Sequence, residues 1–286
     1  MLSLFRWLAR RPLWLLHAIG AVLGWITYWA SPIYRRRFQE NVRQAGITPA
    51  EARPAVAAAG RMVAEAPFLW MRPTRQPIGP QLNWQGRELI EDALRAGRGV
   101  MLLTPHMGSF EVTAQAIAQE FAAAFGPITV LYRPARQPAL REAMDQSRAR
   151  PGVATAPATL AGVRQMMRAL RRGEAVGLLP DQVPPEGMGV WVPFFGKPAY
   201  TMTLAARLVQ QTGAVPLLIW GERLVHGAGY TVRVSPLGEE LPAVSAHHQA
   251  ESAAIINRAM ERLIRQCPQQ YLWGYNRYKQ PRSAEQ

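Results

Sequence analysis

The sequence predicts an α/β fold, a mostly parallel central sheet covered by helices, with an N-terminal membrane-anchoring helix. Three observations carry this. From Val100 onward, short apolar runs alternate with stretches of helical periodicity, the order expected of parallel strands joined by helices. Val100 to Leu103 is continuously apolar, as a buried strand is. Pro12 to Ala30 is an apolar run just long enough to cross a bilayer, where about 20 residues are needed.

That run holds Trp14, Trp25, Tyr28 and Trp29, aromatics that settle at membrane–water boundaries. Arg6, Arg10 and Arg11 precede it and Arg35, Arg36 and Arg37 follow it, so both ends can meet anionic headgroups. No Ala-x-Ala site marks a cleaved signal. A core helix, with His17 and Thr27 as its polar points, is a further reading. For a membrane anchor, basic residues on both sides leave two arrangements open, a spanning helix and one lying in the interface.

Phe38 to Trp70 has helical spacing that Pro49, Pro54 and Pro67 are expected to break into pieces. Met71 to Pro80, with three prolines and two arginines, reads as a linker. Arg87 to Arg95 reads as a helix stopped by Gly97. Strands follow at Val100 to Leu103, Ile128 to Tyr132, Ala175 to Leu179, Val215 to Trp220 and Tyr230 to Val234. Between and after them, helices are expected from Phe110, over Pro138 to Arg150, Thr159 to Arg172, Thr201 to Gln211 and Ala250 to Gln266. The stretch from Asp181 to Tyr200 is rich in Gly and Pro and reads as a long loop.

The 286 residues are 49% hydrophobic, a folded composition. One cysteine, Cys267, excludes an internal disulfide framework. The net charge of +14 comes almost wholly from arginine, since Lys197 and Lys279 are the two lysines. Such a charge suits an anionic membrane surface, a phosphorylated substrate or nucleic acid. No Gly-x-Ser-x-Gly elbow, Walker loop, dinucleotide fingerprint or His-Glu-x-x-His zinc motif is present.

The candidate chemistry sits where the first buried strand ends. Thr104 and Pro105 close that strand, His106 follows, and Ser109 is placed to cap a helix whose first turn holds Glu111. On one helix, residues five apart point about 140° away from each other. With His106 on the turn and Glu111 in the helix, the two can converge. A carboxylate bonded to one imidazole nitrogen fixes the tautomer and leaves the other nitrogen as a base. Arg133 and Asp181 lie at two further strand ends, where open α/β sheets bind ligands. Arg133 suits a phosphate or oxyanion, and Asp181 suits substrate or a group behind it. The segment Gly189 to Pro198, with Phe194, Phe195, Gly196 and Lys197, is too apolar for an ordinary loop. Its aromatics either enter the core or face lipid or an acyl chain.

His106-x4-Glu111, Tyr132-Arg133-Pro134, Leu179-Pro180-Asp181-Gln182, Val192-Pro193-Phe194-Phe195-Gly196-Lys197-Pro198-Ala199 and Gln270-Tyr271-Leu272-Trp273 occur in that order. Together they resemble the bacterial lipid A biosynthesis acyltransferases, the lauroyl and myristoyl transferases, within the wider His-x4-Asp/Glu lysophospholipid acyltransferase superfamily. The resemblance spans nearly the whole chain and implies a glycerolphosphate-acyltransferase-like fold. Residues 1–34 would form the membrane anchor and 35–286 the acyltransferase domain. The enzyme would sit on the cytoplasmic face of the bacterial inner membrane and move an acyl group from acyl carrier protein to a hydroxyl of a lipid A precursor or related anionic lipid. His106 would be the base and Glu111 its orienting partner. Arg133, Asp181, Phe194, Phe195, Gly196 and Lys197 would bind substrate. No metal, organic cofactor or nucleic acid is expected. Acylation of another lipid, a lysophospholipid or glycolipid, and non-catalytic lipid binding are the alternatives.

Overall fold

A computed structural model of the chain describes residues 2–73, 76–78, 82–132 and 150–282. Five helices come first: α1 (Leu2–Ala9), α2 (Leu13–Ala30), α3 (Pro32–Gln44), α4 (Pro49–Ala52) and α5 (Pro54–Met71). Pro32, Pro49 and Pro54 each open a helix, where a missing N–H has no consequence. Pro67 was expected to break a helix and does not. It lies inside α5, with Glu65 and Leu69 buried beside it. Packing on that face outweighs the lost backbone bond, a penalty of about 3 kcal/mol. Among the described residues, α2 is the helix long and apolar enough to cross a membrane.

The strands and later helices are β1 (Leu82–Gln85), α6 (Arg87–Arg95), β2 (Val100–Leu103), α7 (Phe110–Phe125), β3 (Ile128–Tyr132), β4 (Val153–Pro157), α8 (Leu160–Arg171) and β5 (Ala175–Leu178). They continue with β6 (Gly189–Phe194), β7 (Lys197–Met202), α9 (Leu204–Thr212), β8 (Val215–Arg223), β9 (Tyr230–Pro236) and α10 (Gln249–Gln266). Seven strands form one sheet in the order β1-β9-β8-β2-β5-β3-β4. All neighbours in it are parallel except β8 and β9. The expected strands are all present, and β1 and β4 extend the sheet at its two edges. The helix expected over Pro138 to Arg150 falls largely outside the described residues.

Both faces of the sheet are covered. Met101, Leu103, Val176, Leu178, Leu218 and Trp220 join one buried cluster, with α9 and α10. Val100, Leu102, Ala175, Leu217 and Ile219 join the other, with α6 and α7. Period-two side chains buried on both faces explain why these strands read as unbroken apolar runs.

The stretch expected to be a loop from Asp181 to Tyr200 contains an antiparallel hairpin, β6 and β7, with Phe194 opposite Lys197. Its two-residue turn is Phe195-Gly196, both at positive φ (47° and 75°), the geometry that matches strand twist. Phenylalanine rarely adopts that conformation. Here its backbone N–H donates to Glu261 Oε1 (2.7 Å), and its carbonyl accepts from Gln44 Nε2 (2.7 Å).

Candidate active site

The parallel register places the site. Leu103 of β2 pairs with Leu178 of β5 and with Leu218 of β8. His106 and Asp181 each lie three residues beyond that row, at the carboxyl end of adjacent strands. His106 Nδ1 is 2.7 Å from Asp181 Oδ1, and the His106 backbone N–H donates to Asp181 Oδ2 at 2.9 Å. Gln182 Nε2 is 3.0 Å from His106 Nε2. The ring of Phe110, 5.0 Å away between centroids, packs on the imidazole. Asp181 is 2% exposed. Burial would push its carboxyl up, but the His106 charge, the two bonds from His106 and the nearby Arg277 guanidinium hold it below the usual carboxylate range.

The carboxylate at Nδ1 is therefore Asp181 rather than Glu111. Glu111 sits in the first turn of α7 and lines the same cavity as His106 and Gln182. Asp181 is 75 residues away in sequence but one strand away in the sheet. The signal that could have found it is positional, since both residues stand at the same step beyond adjacent strands.

The turn that carries His106 is tied down from two sides. Leu272 N–H donates to the His106 carbonyl (3.1 Å) and Gly108 N–H to the Gln270 carbonyl (2.9 Å). Met107 and Tyr271 form an antiparallel bridge, and Ser109 N–H donates to the Gly221 carbonyl of β8 (2.7 Å). Arg223, at the end of β8, donates to the Gly108 carbonyl (2.9 Å). The same guanidinium meets Glu65 of α5 at 2.7 and 2.9 Å, and Glu65 also accepts from Tyr230 (3.1 Å) and contacts His17 of α2 (3.0 Å). Glu65 is 1% exposed. Burial raises its pKa, yet the Arg223 charge and bonds and the His17 contact bring it down to about 2. Sequence reading missed this cluster because its members lie on four separate elements.

A cavity of about 650 Å³ runs from His106 under the α7 face of the sheet. Leu102, Ile117, Val130, Val163, Leu204 and Ile219 line it, so its walls are chiefly apolar. Gly177 of β5 lines it too. A Cβ there would meet Val130 Cγ1 at 3.3 Å. The volume lies within the range of small-molecule sites.

The residues expected to bind substrate divide. Asp181 is at the site, acting on His106. Phe194, Phe195, Gly196 and Lys197 are not among the residues lining this cavity. Phe194 and Phe195 are buried in the core, where Phe195 stacks near Trp273 and the guanidinium of Arg277 lies over Phe194. Lys197 places its ammonium over the Tyr278 ring. Hairpin closure turns these aromatics inward against α10 and the C-terminal segment. Arg133 lies outside the described residues. Among the described residues, no group of three or more His, Cys, Asp and Glu side chains is placed to hold a metal ion.

Comparison with known proteins gives the family. Residues 19–280 match the family model described as bacterial lipid A biosynthesis acyltransferase. The chain is 27% identical over 221 residues to the lipid A biosynthesis lauroyltransferase of Escherichia coli (strain K12), covering 77% of this chain and 69% of that protein. It is 25% identical over 221 residues to the palmitoleoyltransferase of the same organism, covering 77% and 68%. The myristoyltransferase of that organism is 25% identical over 200 residues, covering 69% and 59%.

Proposed function

The chain belongs to the bacterial lipid A biosynthesis acyltransferase family, and from that premise we propose that it moves a fatty acyl chain from acyl carrier protein to a hydroxyl of a lipid A precursor, with His106 as general base. The observation that carries this reading is the imidazole bonded through Nδ1 to buried Asp181 while its Nε2 side borders an apolar cavity.

With the Nδ1 proton committed to Asp181, Nε2 holds a lone pair. The Gln182 amide meets it in the free enzyme, and the acceptor hydroxyl takes that place. Nε2 removes the hydroxyl proton as the oxygen attacks the thioester carbonyl carbon. The tetrahedral intermediate then collapses, the carbon–sulfur bond breaks, and His106 returns the proton to the departing sulfur. Asp181 stays ionised throughout and stabilises the transient imidazolium. The lowered carboxyl of Asp181 supports that role. General base catalysis of this kind contributes about 10²–10⁴-fold. The cavity receives the acyl chain. Glu111, at its wall, faces the acceptor side, and Arg133 carries phosphate or thioester contacts.

The relatives named above differ in the acyl group they are named for, yet their identities to this chain are similar. Cavity shape, rather than overall similarity, is therefore what sets chain length in this reading. Residues 1–34 anchor the enzyme and residues 35–286 form the acyltransferase domain, at the cytoplasmic face of the inner membrane. The positive charge of the chain, +14, favours an anionic lipid surface.

The test uses membranes containing the protein, a lipid A precursor and labelled acyl carrier protein thioesters of several chain lengths. Label enters the lipid with the wild type and not with His106→Ala. Transfer to a lysophospholipid but to no lipid A precursor would replace the acceptor. No transfer to any lipid by folded protein would favour non-catalytic lipid binding.

A further inference from the structure

We infer that α2 does not cross the bilayer but lies along one leaflet, fixed side-on to the catalytic domain, with its outward stripe in the lipid. This deepens the membrane reading above and rests on it.

The helix has two faces. One is buried and carries Leu13, Leu16, Gly20 and Gly24, three or four residues apart, with His17 beside Leu16. It packs along α5 backbone to backbone: a Cβ at Gly20 would stand 2.6 Å from the Gly60 carbonyl oxygen, and one at Gly24 would collide with the Val56 carbonyl. A side chain at Gly227 would strike the backbone of Trp14, so the start of α2 also touches the turn between β8 and β9. His17 reaches Glu65, and Glu65 reaches Arg223 of the sheet. A helix threaded across the membrane would leave this face, open the close seam that Gly20 and Gly24 make with α5, and take His17 away from buried Glu65.

The opposite face is exposed along the whole length and apolar. Trp14, Ile19, Val22, Leu23, Ile26 and Trp29 form it, with Trp14 at 57% and Trp29 at 65% exposure. Trp7 of α1 and Ile33 of α3, before and after α2 in the chain, are exposed as well. Arg10 and Arg11 stand before the stripe and Arg35 to Arg37 after it. A single apolar stripe between basic ends, backed by a folded domain, matches a membrane leaflet bearing anionic lipid. Basic residues at both ends are what an in-plane helix wants, because both ends then meet the same headgroup layer.

Two measurements test this with the full chain. In the first, purified protein is floated with vesicles of phosphatidylethanolamine and phosphatidylglycerol. Wild type floats, and Val22→Asp and Ile26→Asp each reduce partitioning by at least about tenfold. Both sites are exposed, so the thermal transition stays in place. Wild type that fails to float would overturn the membrane reading itself, and Asp variants that float unchanged would overturn the stripe.

The second measurement reads orientation. Arg10→Cys and Arg36→Cys are expressed separately and treated with a membrane-impermeant maleimide, first on intact spheroplasts and then after lysis. Cys267 stays silent, since it is buried and burial pushes its thiol up to about 12. Both positions reacting under the same condition supports the in-plane helix. One reacting on intact spheroplasts and the other after lysis would show a spanning helix, leaving acyl transfer and membrane binding untouched.

Discussion

His106 and Asp181 meet because a strand pair is in register, and that pairing carries a sharp expectation. Asp181→Asn keeps the shape of the side chain but removes the charge that fixes the imidazole. Replacing an orienting carboxylate in this way drops kcat by about 10⁴ in serine proteases, and a loss of about 10²–10⁴ in kcat with little change in KM is expected here, read in the acyl-transfer assay. The sign of the pH effect on stability follows from Glu65. Its pKa falls from an ordinary 4.5 to about 2, so its contribution is present above pH 4.5 and is lost as the pH falls through about 2. An acid unfolding titration should show that loss, and Glu65→Gln should remove it. The same substitution leaves Arg223 buried without its carboxylate, which costs about 3–5 kcal/mol and lowers the Tm at neutral pH. His106 was legible in the sequence because a proline ended a buried strand just before it. Its partner was not, since four residues of chain separate Glu111 from His106 while the sheet brings Asp181 closer.

Strands and helices of the central sheet were legible from Val100 onward because each buried strand is an apolar run bounded by Gly or Pro. The edge strands β1 and β4 were missed. Both are short and half-exposed, and their pattern resembles that of the turns beside them. The hairpin of β6 and β7 was hidden for another reason: its turn is Phe195-Gly196, where Asn-Gly or Asp-Gly would have announced it. Two glycines make tests at this level. A Cβ at Gly60 would collide with the Gly20 backbone, so Gly60→Ala must separate α2 from α5. Overpacking of this kind costs about 1–3 kcal/mol, visible as a lower Tm. Gly177 lines the cavity, and a Cβ there would press on Val130 Cγ1 at 3.3 Å. Gly177→Ala should shift donor preference toward shorter acyl chains, read as the ratio of kcat/KM between long and short thioesters, with a Tm lowered by the close contact with Val130.

The molecule joins three features in one contact path: the apolar helix α2, the buried Glu65–Arg223 pair, and the turn holding His106. The sequence showed the first and the last as separate motifs, because nothing in a linear pattern records a salt bridge between residues 158 apart. The excess of arginine was legible as a charge, and the structure spends part of it inside, at Arg72, Arg150, Arg223 and Arg277, each buried. The most direct test of the central claim is single-turnover transfer of a labelled acyl chain from acyl carrier protein to a lipid A precursor, comparing wild type, His106→Ala and Asp181→Asn at equal amounts of folded protein. Label should reach the lipid rapidly with wild type, slower by about 10²–10⁴ with Asp181→Asn and not measurably with His106→Ala. Transfer by His106→Ala at the wild-type rate would contradict the base assignment, and an unimpaired Asp181→Asn would contradict the pairing on which it rests.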